Sequence, residues 1–114
     1  MSRRASGLKA WVFQRISAVY LGFYFLFLCW YFVFSSPASY AEWKGWVSTP
    51  EINLSLLFFA FFLLLHAWVG TRDIIIDYIK PLMIRVVALT ILAIVLIGSG
   101  LWTAKFLFLA VTSV

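Results

Sequence analysis

Four side chains in this chain could do chemistry: His66, Arg15, Asp77 and Tyr78. His66 is the only histidine and sits about five residues, roughly 8 Å, from the end of a long apolar run. Imidazole inside such a run is costly and faces a partner group. It can ligate a metal or haem iron, relay protons, or bond to another helix. No second histidine or buried carboxylate continues a relay, which favours a ligand. Gly70, one turn later on the same face, leaves room for a flat macrocycle or for a second helix. Arg15 precedes another apolar run, and its guanidinium can pair with a carboxylate such as a propionate or simply snorkel to water. Asp77 and Tyr78 are adjacent, and a phenol donates a hydrogen bond to a carbonyl while a carboxylate holds water or passes protons. That pair suits a quinone headgroup at a membrane surface. Equally, Tyr78 can anchor at the interface and Asp77 can pair with Arg72, Lys80 or Arg85.

The elements that must position these groups follow from where charge is missing. Of 114 residues, 65% are hydrophobic and 11% charged. Soluble domains are about 25% charged, and a small one needs polar residues to cover its core. The abundance of aromatic residues excludes disorder. No charged residue falls within 16–34, 52–71 or 86–104, and each of these segments has 19 or 20 residues. As helices they rise about 1.5 Å per residue, enough to cross a hydrocarbon core about 30 Å thick. Segment 58–65 does not alternate as a barrel strand does. The fold class is therefore all-α integral membrane, a single domain over 1–114 with three transmembrane helices.

Lysine and arginine set the expected orientation. Arg3, Arg4, Lys9 and Arg15 precede the first helix, and Arg72, Lys80 and Arg85 fill the loop expected over 72–85. Only Lys44 lies in the loop expected over 35–51, and Lys105 is alone after the third helix. Basic residues mark the cytoplasmic side, which places the N-terminus there and the C-terminus outside. The net charge of +5 is a topology signal, with too few basic residues for a nucleic-acid face. The first apolar run is too long and aromatic for a cleaved signal peptide. Trp43 and Trp46 on one side, Trp11 and Trp68 on the other, read as an interfacial belt. Cys29 is alone, so it forms neither a disulfide framework nor a cysteine metal site within the chain. Pro81, within the loop expected over 72–85, restarts the chain toward the third helix, since proline is well tolerated in a first turn. No nucleotide-binding loop or catalytic triad is present. A small proton-coupled exporter needs a carboxylate within a span, and all four acids lie outside the expected spans.

The stretch from His66 to Pro81, HAWVGTRDIIIDYIKP, resembles the signature of the succinate dehydrogenase hydrophobic membrane anchors, the smaller of the two cytochrome b subunits. That signature is His-Ala-Trp-hydrophobic-Gly, an Asp-Tyr pair eleven residues from the histidine, and a nearby proline. Gln14-Arg15-Ile16-Ser17-Ala18 resembles the family stretch that opens helix one.

The resemblance implies packing with a second cytochrome b anchor subunit, and a complex with an iron–sulfur subunit and a flavoprotein subunit. It implies haem b with His66 as an axial iron ligand, Arg15 near the propionates, and ubiquinone hydrogen-bonded by Tyr78 with Asp77 beside it. On this reading the chain is not catalytic alone but helps to form the quinone-reduction site of respiratory complex II, in the bacterial inner membrane. The alternatives are a fumarate reductase anchor, a haem-free structural or assembly protein, and the exporter.

Overall fold

Prolines set the limits of the helices. In the computed structural model of the protein, backbone is described for residues 3–112 and side chains for 7–112. Helices α1 (Arg3–Phe34), α2 (Tyr40–Ser48), α3 (Pro50–Tyr78) and α4 (Leu82–Thr112) account for nearly all of them, and no strand occurs among the described residues. Pro50 opens α3, where its missing N–H would have had no partner. Pro81 follows α3, and its carbonyl accepts from the Arg85 N–H at 3.0 Å as α4 begins. Between 50 and 81 there is no proline to interrupt the helix.

Three of the four helices are long and apolar enough to cross a membrane: Gly7–Phe34, Pro50–Tyr78 and Leu82–Thr112. Each contains one of the expected segments and outruns it. The 29 residues of α3 extend about 43 Å, well beyond a hydrocarbon core. The expected loop over 72–85 is therefore mostly helix, reduced to a tight connection at Ile79, Lys80 and Pro81. Asp73 and Asp77 ride on the last turns of α3 because charge ends an apolar run without ending a helix. The side chains of Arg3 and Arg4, two residues behind the expected orientation, lie outside the described residues.

The segment expected as a loop over 35–51 contains α2. Ser39 caps it, accepting from the Glu42 N–H at 3.2 Å, while the Glu42 carboxylate accepts from the Ala38 N–H at 2.7 Å. This is a variant of the serine-x-x-glutamate box that satisfies otherwise orphaned donors. Trp46 stacks on Tyr31 of α1 with ring centroids 4.2 Å apart, and Trp43 lies 5.5 Å from Phe106 of α4. These tryptophans fasten α2 across the bundle end as well as offering rings to an interface. Beneath them Val47, Leu107 and Ala110 form the buried apolar cluster. Asn53 ties the same corner, donating to the Val47 carbonyl at 3.1 Å and the Leu107 carbonyl at 3.0 Å.

Helix α3 is central, with α1 on one side and α4 on the other. Large apolar side chains on the outer faces, Phe23, Leu26, Val33 and Trp102 among them, are more than half exposed within this chain. Surfaces of that kind belong against lipid or another apolar partner.

Candidate functional site

The α1–α3 seam carries a ladder of polar contacts in an apolar setting. Toward the N-terminal end of α3, Tyr24 Oη lies 2.7 Å from Ser55 Oγ, and Tyr20 Oη donates to the Ser55 carbonyl at 3.2 Å. The tyrosine rings pack on Phe59 and Phe62 of α3, at 5.0 and 5.2 Å between centroids. Hydrogen bonds of this type bind membrane helices at about 0.6 kcal/mol each. The facing aromatic stripes fix which sides of α1 and α3 meet.

Further along the seam is His66, partly buried against α1. Its Nδ1 lies 3.1 Å from Ser17 Oγ. Ser17 is 1% exposed and also donates to the Gln14 carbonyl at 3.0 Å. Gln14 returns to α3, its Nε2 donating to the His66 carbonyl at 3.4 Å. Gln14 Oε1 is buried and has no donor among the described residues. The other imidazole nitrogen, Nε2, likewise has no hydrogen-bond partner among them. A neutral imidazole with one nitrogen engaged by protein and the other unclaimed can serve as a single ligand to iron or another soft-to-borderline metal.

Gly70 is small for a reason the structure makes specific. A Cβ there would stand 3.3 Å from Gln14 Nε2. Helix α1, through Gln14, approaches Gly70 closely on this side.

Arg15 lies one residue from Gln14 but points elsewhere. Its guanidinium carbon sits 5.3 Å from the centre of the Trp11 ring, a cation–π contact. It lines a cleft between α1 and α3 together with Trp11, Gln14, Arg72 and Asp73. His66 is not among the walls of that cleft. Arg72 and Asp73 form an exposed ion pair at 3.2 Å, worth little in water.

Asp77 and Tyr78 occupy the last turn of α3, with Tyr78 twelve residues and about 18 Å along the axis from His66. Both are exposed, Tyr78 at 80%. Neither arginine considered as a partner takes Asp77. Arg72 pairs with Asp73, and Arg85 donates to the carbonyls of Ile79 and Ile76, each at 3.1 Å. Arg85 thus caps the C-terminal end of α3, supplying donors to carbonyls that the helix leaves open.

Ser17 and Gln14 are the site residues that sequence reasoning passed over. Their signal was present: two polar residues at i and i+3 share one face of an apolar helix.

Comparison with known proteins identifies the family. A family model described as the transmembrane subunit of succinate dehydrogenase/fumarate reductase matches residues 1–109. The chain is 34% identical over 109 residues to a Coxiella burnetii protein named succinate dehydrogenase hydrophobic membrane anchor subunit, covering 96% of this chain and 93% of that one. Three membrane-length helices and a match over nearly the whole length make the chain a member of the succinate dehydrogenase/fumarate reductase transmembrane subunit family.

Proposed function

We propose that this chain is an anchor subunit of succinate:ubiquinone oxidoreductase, supplying one haem b ligand and part of the quinone site. The observation that carries the reading is His66, held at Nδ1 by Ser17 with Nε2 unclaimed, on the same helix as Tyr78. Haem fits this donor set, and Arg15 offers a cation to its propionates from the neighbouring helix. When bound through two imidazoles, haem supplies electron transfer rather than oxygen chemistry. The second imidazole would come from the other cytochrome b anchor subunit.

The chain's own work lies at the two ends of this stretch of α3. His66 presents one nitrogen inside the membrane, while Ser17 and Gln14 restrain its ring and backbone. At the water boundary, the Tyr78 hydroxyl donates to a quinone carbonyl and polarises it toward reduction. Asp77, bound by neither Arg72 nor Arg85, holds water beside it and passes protons to the reduced oxygens. A quinone takes two electrons, delivered from succinate through the flavoprotein and iron–sulfur subunits, and two protons to become quinol. The basic residues around this end, Arg15, Arg72, Lys80 and Arg85, support a reading in which it faces the cytoplasm at the inner membrane and the C-terminus lies outside.

A fumarate reductase anchor would use the same residues in the opposite direction, and the family description includes both. The name of the Coxiella relative favours succinate oxidation. Purification of the tagged chain in mild detergent tests the assignment. Flavin, iron–sulfur and haem-bearing subunits should co-purify and reduce ubiquinone with succinate. Recovery of the chain without them, as a haem-free assembly protein or a transporter, would overturn it.

A further inference from the structure

We infer that Ser17 is a positioning residue for His66: its hydroxyl holds the imidazole in the Nδ1–H tautomer and so keeps Nε2 bare for iron. This rests on the reading of His66 as a haem ligand. A serine hydroxyl has one proton. The Gln14 carbonyl, 3.0 Å away, can only accept it, so at the 3.1 Å contact Oγ must accept from Nδ1–H. The opposite arrangement would leave the Gln14 contact without a proton and put the ring's proton on Nε2, where it would block a metal. At 1% exposure, Ser17 has no water to relieve that conflict.

The same turn of α1 restrains both ends of His66. Ser17 holds the ring and Gln14 Nε2 holds the backbone carbonyl at 3.4 Å. The ring can then neither flip nor slide along the seam without breaking a contact. Metal-binding histidines generally donate their second ring N–H to a fixed acceptor, which orients the ring and raises its basicity. In this chain the acceptor is a hydroxyl from a different helix, so ligand geometry depends on how α1 and α3 pack.

The test uses the purified complex, with haem-depleted samples titrated with haemin. Ser17→Ala removes only the hydroxyl. It should weaken haem retention by about 10–100-fold, shift the low-spin electron paramagnetic resonance g values, and raise the haem midpoint potential. Ser17→Thr keeps the hydroxyl and Ser17→Val has nearly the same shape without it. The threonine variant should bind haem more tightly than the valine variant and keep the parent g values. Equal behaviour of threonine and valine, or an alanine variant with parent affinity and potential, overturns the inference. His66→Ala separates this from the underlying reading. Loss of the low-spin signal with unchanged Ser17 variants removes only the role of Ser17, whereas retention of that signal in His66→Ala removes the ligand assignment and the inference together.

Discussion

Gly70 of α3 lies directly against Gln14 of α1, close enough that a Cβ would stand 3.3 Å from Gln14 Nε2. Gln14 is not free to retreat, because that nitrogen donates to the His66 carbonyl. Gly70→Ala should be near neutral, since crowding is offset by the roughly 1 kcal/mol that alanine gains over glycine in a helix. Gly70→Val should cost about 1–3 kcal/mol by overpacking and disturb the haem spectrum through His66. Thermal unfolding of the complex in detergent, followed by haem absorbance, measures both. A valine variant as stable as the parent would show that α1 and α3 have slack at this point.

Tyr78→Phe should slow quinone reduction on the order of tenfold, the worth of about one hydrogen bond. Succinate oxidation by a soluble dye should continue at the parent rate. The hydroxyl stands on a residue 80% exposed in this chain, so its loss should change stability by less than about 0.5 kcal/mol. Equal loss of the two activities would count against a quinone contact. Asp77→Asn should leave assembly intact, since neither Arg72 nor Arg85 pairs with Asp77, and should slow quinol formation through proton supply.

Arg85→Ala removes two charged donors from the C-terminal carbonyls of α3. The expected cost is about 1–2 kcal/mol, with Lys recovering part of it through the helix dipole. Quinone reduction should suffer because Tyr78 is the last residue of α3. The low-spin haem spectrum should not, since His66 lies about three turns away. Parallel measurement of spectrum and quinone reductase rate distinguishes this from general loosening.

At the other end, Asn53→Leu should free α2. It leaves the Val47 and Leu107 carbonyls without the amide that joins them and should cost about 1–2 kcal/mol. Faster cleavage of the 35–49 segment by a protease added to the purified complex is the readout. Unchanged cleavage would mean that Trp43 and Trp46 hold α2 unaided.

Much of the architecture was legible because hydropathy is a one-dimensional property. Uncharged stretches of 19 or 20 residues need no tertiary knowledge to be recognised as spans. Helix ends were less legible. Arg72 and Asp73 end the apolar run of α3, yet backbone hydrogen bonding continues until Lys80 and Pro81 stop it. Helix α2 was hidden by Pro37, Gly45 and Pro50, although Ser39 and Glu42 already stood at capping spacing.

By itself, then, the sequence determined that the chain enters a membrane as three helices, and its motifs pointed to His66, Arg15, Asp77 and Tyr78. Only the tertiary structure decided that Ser17 meets His66, that Gln14 fills the space beside Gly70, and that Arg85 serves backbone carbonyls instead of Asp77. The reason is physical. Apolar transfer energy depends on composition along a helix, whereas a 3.1 Å contact between residues 49 apart depends on the rotation and register of two helices. Those are set by facing aromatic and small side chains, which no single span encodes alone.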